Sequence, residues 1–166
     1  GLRLLLATNH MKDVELCTAT AQMDAILQQL PYTASFVVVD VGTTYIPGIE
    51  NVLSICNELI LLTEPGPSSV QRCKILVGEL EEKGFGKTKP LSLVIYSRVR
   101  SDLQLSNQQI QEAIGANAVI VIPPSPEQSY QASLRFMPLT LVKQDGLVSQ
   151  QYMRLLEQVV DRKNAR

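Results

Sequence analysis

Five short apolar runs constrain this chain more than any other feature: residues 2–8, 35–41, 59–63, 91–97 and 118–122. Each is too short to make a helix on its own, rich in Val, Ile and Leu, and apolar at successive positions. A strand built from such a run has two apolar faces, and both must be covered. That is how central strands of a parallel sheet read when helices pack on either side. Turn residues and stretches of helical period separate the runs. Leu16, Ala19, Met23, Ile26, Leu27 and Leu30 mark one stripe before Pro31. Ile49, Val52, Leu53 and Cys56 mark a second, shorter one, and Val70, Cys73, Leu76, Val77 and Leu80 form a third, closed by Gly84. Ser106 with Gln109 forms a capping box for a helix ending at Gly115. Pro126 after Ser125 starts another, where a missing N–H does no harm. A last helix spans about 149–162. The alternation predicts an α/β fold: a mostly parallel central sheet of at least five strands with helices on both faces. Residues 1–166 read as a single domain, with no repeat and no linker.

Charge and cysteine usage narrow the function classes. Fifteen Lys and Arg oppose sixteen Asp and Glu, a net charge of −1, which disfavours non-specific nucleic-acid binding. Cys17, Cys56 and Cys73 are dispersed and odd in number, suiting core thiols in a reducing, cytoplasmic setting rather than a disulfide framework. One histidine, His10, reads as an exposed loop residue and cannot by itself build a zinc site. No apolar run is long enough to span a bilayer. The sequence opens at Gly1 and enters an apolar run at once, which reads as an excised or processed fragment.

In parallel α/β sheets, ligands gather at the carboxyl ends of strands, so the residues just after each run are the candidates. Gly84-Phe-Gly-Lys-Thr88 imitates a phosphate loop. It lacks the earlier glycine, however, and follows a helix instead of opening one, so it reads as a helix cap and surface turn. Asp40, ending Phe36-Val-Val-Val-Asp40, is placed to hold Mg²⁺ through water beside terminal phosphates; the plainer reading is an acid capping the next turn. Gly42 would let a backbone N–H approach a γ-phosphate, with the hydroxyls of Thr43 and Thr44 nearby. Ser97 ends the fourth run and Arg98 follows it, and Pro123 follows the fifth. They can border a flat base or serve as ordinary strand-to-helix connections.

Taken in order, FVVVDVG, ELILLTEPGPSSVQ, LSLVIYSRV and VIVIPPSPE resemble the MinD/ParA family of P-loop ATPases, most closely its CpaE/TadZ-like branch of pilus assembly and positioning proteins. The resemblance runs from about residue 2 to 160 and rests on the order and spacing of the segments. It implies a P-loop NTPase-like fold, incomplete at its N-terminus, with ATP and Mg²⁺ as cofactors in the intact protein. Asp40 would organise Mg²⁺ through water, Gly42 and Thr43 would sense the γ-phosphate, and Ser97, Arg98 and Pro123 would border the adenine. It also implies an ATP-closed homodimer that recruits a protein partner, with no nucleic acid and no integral membrane contact. Three departures qualify it. The Lys-Gly-Gly-x-Gly-Lys-[Ser/Thr] loop is absent upstream of Asp40, the Asp-x-Pro-Ala-Gly switch is Asp40-Val-Gly-Thr-Thr44, and the base-reading Asn is Ser97. A serine hydroxyl cannot make the paired contacts of an amide. The loop's amides, lysine and hydroxyl carry most phosphoryl-transfer chemistry, so this chain alone is expected not to hydrolyse ATP.

Two rivals follow from the same residues. One is a non-catalytic pseudo-ATPase interaction module that binds a protein partner. The other is a receiver-type domain with Asp40 as phospho-acceptor, which lacks an acidic pair (only Asn9 and Asp13 stand near the first run) and has Arg98 where a lysine is required. The tail from Asp161 to Arg166 has no apolar face for a membrane surface and reads as a fraying helix end.

Overall fold

A computed structural model describes residues 2–6, 10–43, 48–98, 103–116 and 118–164. The chain forms two compact units, residues 1–56 and 57–166, each described by itself.

In the first unit, a 3₁₀ stretch Met11–Thr18 leads through Ala19 into helix α1, Thr20–Gln29. A second 3₁₀ turn, Leu30–Tyr32, carries the proline that stops α1, and helix α2 spans Ile49–Ile55. The stripe expected to run unbroken from Leu16 to Leu30 is therefore split at Ala19, and α1 buries none of its residues. Asn51 of α2 donates through Nδ2 to Asp24 Oδ2 of α1 at 2.7 Å.

The second unit is a parallel sheet in sequential order. Strand β1 (Leu59–Thr63), helix α3 (Pro67–Glu82), β2 (Leu91–Tyr96), α4 (Asn107–Ile114), β3 (Ala118–Ile122), α5 (Pro126–Leu134), α6 (Leu139–Val142) and α7 (Leu147–Asn164) follow one another. β2 is central, with Leu61 opposite Leu93 on one side and Ile95 opposite Val121 on the other. Its residues alternate between two cores, which is why Leu93, Val94 and Ile95 are apolar and buried in succession. Leu93 and Ile95 face Val70, Cys73 and Val77 of α3 and Ile110 and Ile114 of α4. Val94 joins Ile120 and Ile122 of β3 against Val148 of α7, with Tyr96, Tyr152 and Leu155 around them. The expected helices on both faces are present.

Local chemistry sets the ends. Ser106 accepts from the Gln109 N–H at 3.2 Å while Gln109 Oε1 accepts from the Ser106 N–H at 2.9 Å, the reciprocal box that starts α4. Beyond α3, Gly84 sits at φ +92°, the Phe85 N–H reaches the Leu80 carbonyl and the Gly84 N–H the Glu81 carbonyl. This double closure ends a helix and seats Phe85 in the interior. A Cβ at Gly84 would stand 2.9 Å from Thr88 Oγ1. The Gly-Phe-Gly-Lys-Thr sequence is thus a helix cap and turn.

The strand number is corrected downward: the described residues contain three strands, not at least five. Residues 2–6 and 35–41 form no ladder; Ala7 and Thr8 lie outside the described residues. Leu2, Leu4, Leu5 and Leu6 are exposed, and Val38 is 94% exposed. Apolarity shows that a run can line a core, but a strand exists only when a neighbour supplies N–H and C=O partners in register. Among the described residues, neither run forms such a ladder. The tail is corrected too. α7 continues to Asn164, and its last turn is anchored rather than frayed, because Arg162 reaches under the sheet.

Candidate functional site

The loops after β1, β2 and β3 converge at one end of the second unit because the three strands run parallel. Ser97 follows β2, and its N–H donates to the Ile122 carbonyl at 3.1 Å, extending the ladder by one step. That bond sets Ser97 beside Pro123, the next residue of the β3 exit. Both are half-buried. Arg98, exposed, turns towards the β1 exit, where its Nε lies 2.6 Å from Glu64 Oε1. The loop after β1 is held in turn by the Leu105 N–H donating to the Pro65 carbonyl at 3.0 Å.

Three sequence-selected residues, Ser97, Arg98 and Pro123, therefore share one sheet end, together with Glu64, which drew no role from the sequence although it falls in the segment that the carboxyl-end rule singles out. Chemically this end offers one hydroxyl, a proline face and an exposed ion pair with no net charge. A phosphate or carboxylate approaching Arg98 must compete with Glu64. Screening makes such a surface pair weak, so exchange of partners there costs little.

Asp40, Gly42 and Thr43 belong to the first unit. Asp40 Oδ1 accepts the Gly42 N–H at 2.9 Å, closing a local turn in which Gly42 takes φ +70°. All three are exposed. The capping arrangement of an Asp at a turn is what this geometry supplies. The Gly42 N–H is already spoken for, and it becomes free for a phosphate only if this turn opens. The carboxylate keeps acceptor capacity beyond that one bond, so a hydrated Mg²⁺ fits its chemistry. Thr44, Asn9 and Asp102 lie outside the described residues. Asp13, the other acid weighed for a phospho-acceptor pair, is half-buried in the 3₁₀ stretch, and His10 precedes it, exposed.

Among the described residues, no three His, Cys, Asp or Glu side chains gather closely enough to hold a metal ion. A hollow lined by Asn107, Gln111 and Gly115 belongs to α4 rather than to the strand ends. Among the described residues, buried Cys73 and half-buried Tyr152 titrate away from their ordinary values. Burial pushes the Cys73 thiol above its ordinary range, partly offset by a hydrogen bond with Thr63. Burial raises Tyr152 too, and the neighbouring Tyr96 adds to it. Both lie among the hydrophobic side chains flanking the sheet. Cys56 is half-buried, and the Cys17 side chain lies outside the description.

No protein family matches the chain by sequence profile, and no curated protein matches its sequence. Solved structures do match its fold. A ParA family ATPase from Chlorobium tepidum TLS superposes with TM-score 0.75 at 16% identity, over 87% of this chain and 58% of that one. The septum site-determining protein MinD from Pyrococcus horikoshii OT3, solved with Mg-ADP, gives 0.69 at 18% identity, over 84% of this chain and 56% of that one. MinD from a MinC:MinD complex of Aquifex aeolicus gives 0.68 at 15% identity, over 86% and 59%. The fold is that of the MinD and ParA ATPases, and the chain spans under two-thirds of the length of each of these structures. No helix among the described residues is long and apolar enough to cross a membrane.

Proposed function

We propose that these residues are the C-terminal portion of a MinD/ParA-like nucleotide-switch ATPase, of the CpaE/TadZ-like branch, that works in the cytoplasm in positioning or pilus and secretion assembly. The observation that carries this reading is the superposition on the ParA family ATPase over 87% of the chain. The sheet end that gathers Ser97, Arg98 and Pro123 agrees with it. In the intact protein, a homodimer closed around ATP and Mg²⁺ would engage a protein partner. Asp40 would hold Mg²⁺ through water, Gly42 and Thr43 would meet the γ-phosphate, and Ser97, Arg98 and Pro123 would border the base. Bound Mg²⁺ would supply charge neutralisation at the transferred phosphoryl group.

The 166-residue chain itself lacks a phosphate loop, and on this reading it is inactive alone. A phosphate-release assay with Mg-ATP should give turnover below about 10⁻³ s⁻¹, near the intrinsic rate of an unassisted phosphate-loop switch. Faster turnover, abolished in Asp40→Ala, refutes the proposed inactivity.

A second reading, a pseudo-ATPase that keeps the fold to bind a protein, is favoured by two contacts: the Gly42 N–H is donated to Asp40, and Arg98 is paired with Glu64. Titration of a polypeptide extended upstream with a fluorescent ATP analogue separates the two. Saturable binding weakened by Asp40→Ala and by Arg98→Ala supports the switch; no binding supports the interaction module.

A further inference from the structure

One face of α5 is left uncovered, and its spacing is regular. Ala132 is buried and Gln128 and Ser129 are half-buried, so they form the inner side of the helix. On the opposite side, at helical spacing, stand Pro126, Glu127, Tyr130 and Leu134, all exposed. Tyr130 is 64% and Leu134 57% exposed, and Phe136, just beyond the helix end, is 97% exposed. Single exposed apolar side chains are ordinary on a protein surface, but three gathered along one helix face and its end are not. Phe136 also holds the left-handed backbone of a helix closure, φ +50°, a position that glycine takes at least cost. A bulky aromatic there gives up backbone energy, and among the described residues its ring receives no burial in return. Charge brackets the stripe: exposed Glu127 stands in the first turn of α5, and exposed Arg135 caps its end. No ion pair joins either side chain to another described residue. The helix macrodipole accounts for an acid at the start and a base at the end. It does not account for the apolar side chains between and beyond them.

We infer that this face of α5 binds the same face of a second copy of the chain, the two helices crossing antiparallel about a two-fold axis. The stripe is complementary to itself in that arrangement. One register sets Glu127 against the partner's Arg135, Pro126 against the partner's Phe136, and Tyr130 against the partner's Leu134, and the axis repeats each contact. Tyr130 and Leu134 of both copies then meet near the axis, with the charge pairs outside them. Antiparallel packing also opposes the two helix dipoles. A protein of different sequence would need a basic group over Glu127 and an acidic one over Arg135, whereas a second copy brings both. An anionic membrane surface fits less well, since it would meet the Glu127 carboxylate. The face is small beside the roughly 800 Å² per partner of a standard interface, so the dimer is weak and reversible. It joins copies through α5, not through the loops at the carboxyl ends of the strands. It needs no nucleotide, and so stands apart from the ATP-closed homodimer proposed above.

Sedimentation equilibrium of the 166-residue chain without nucleotide tests this, from about 10 µM to about 1 mM. The chain should pass from monomer towards dimer over that range. Glu127→Arg sets cation against cation at both ends of the contact and should weaken the dimer by at least about tenfold. Arg135→Glu should do the same with anions. The double variant Glu127→Arg/Arg135→Glu rebuilds both pairs and should return the dimer to within about threefold of wild type. Phe136→Gly, which relieves the left-handed backbone and so keeps the fold, should weaken it by at least about tenfold. Circular dichroism checks that each variant is folded. A chain that stays monomeric to about 1 mM overturns the inference, whatever else then covers the stripe. Self-association that Phe136→Gly and the single charge variants leave unchanged overturns it as well. So does a double variant that dimerises no better than the single ones, since the face then meets something other than its own copy. With no nucleotide present, none of these outcomes bears on ATP binding, which the titration with the ATP analogue decides by itself.

Discussion

The last turn of α7 is pinned beneath the amino end of the sheet by three polar side chains, and cutting that pin should cost more than any exposed ion pair. Arg162 Nη1 donates to Ser92 Oγ at 3.0 Å, and the Ser92 hydroxyl donates to Glu58 Oε1 at 3.2 Å. Arg162 Nη2 lies 2.8 Å from the same Glu58 oxygen, a close charge contact whose angles fall outside hydrogen-bond geometry. Arg162 Nε donates to the Gln158 carbonyl at 3.0 Å. Ser92 is fully buried, and the Glu58 and Arg162 side chains retain only 14% and 31% exposure. Removing one partner of a buried pair strands the other and costs roughly 3–5 kcal/mol. The residual exposure of Arg162 lets water relieve part of that, so Arg162→Ala or Glu58→Ala should each cost about 2–3 kcal/mol. For a chain of this length that lowers the melting temperature by about 4–12 °C. Urea unfolding followed by circular dichroism gives the free energies. The double variant Glu58→Leu/Arg162→Leu removes both charges from the site and should be less destabilised than the sum of the two alanine variants. Single variants within about 0.5 kcal/mol of wild type, or strict additivity, would refute the claim that this cluster holds the helix.

Two further predictions concern single residues. Phe136 occupies the left-handed position after α5 at φ +50°, where its N–H and that of Met137 close the helix onto the Ser133 and Ala132 carbonyls. It is 97% exposed. Left-handed backbone costs a side-chain-bearing residue about 1–2 kcal/mol, so Phe136→Gly should stabilise the chain by about 0.5–1 kcal/mol after glycine's own entropy is counted; a loss of stability in urea would show that the aromatic ring packs in solution. The second concerns alkaline pH. Cys73 titrates above its ordinary value when folded, so the unfolded chain loses its proton first. The stabilisation is complete below the ordinary thiol pKa of about 8.5 and declines as pH rises through the folded value. Melting temperature should therefore fall above about pH 8.5 more steeply in wild type than in Cys73→Ala, and equal slopes would contradict the assignment.

How much of this was readable beforehand depended on whether a residue's partner is local. The capping box at Ser106 and Gln109, the helix start at Pro126 and the glycine closure at Gly84 are settled within a few residues, and all three are where the sequence puts them. The central strand β2 was legible because it is apolar on both faces, a pattern that two cores impose on it. Runs 2–8 and 35–41 carry the same signal, yet no described neighbour completes a ladder for 2–6 or 35–41, because pairing is a property of two segments and composition belongs to one. The anchoring of Arg162 is hidden from the sequence for a related reason. In a tail of charged residues nothing local distinguishes it from Lys163, and its partners Ser92 and Glu58 lie far upstream. At the candidate site, Ser97, Arg98 and Pro123 were found because parallel strands deliver their exits to one end. Glu64 carries no such signal, because its significance is a contact with Arg98 that only the register of β1 on β2 creates.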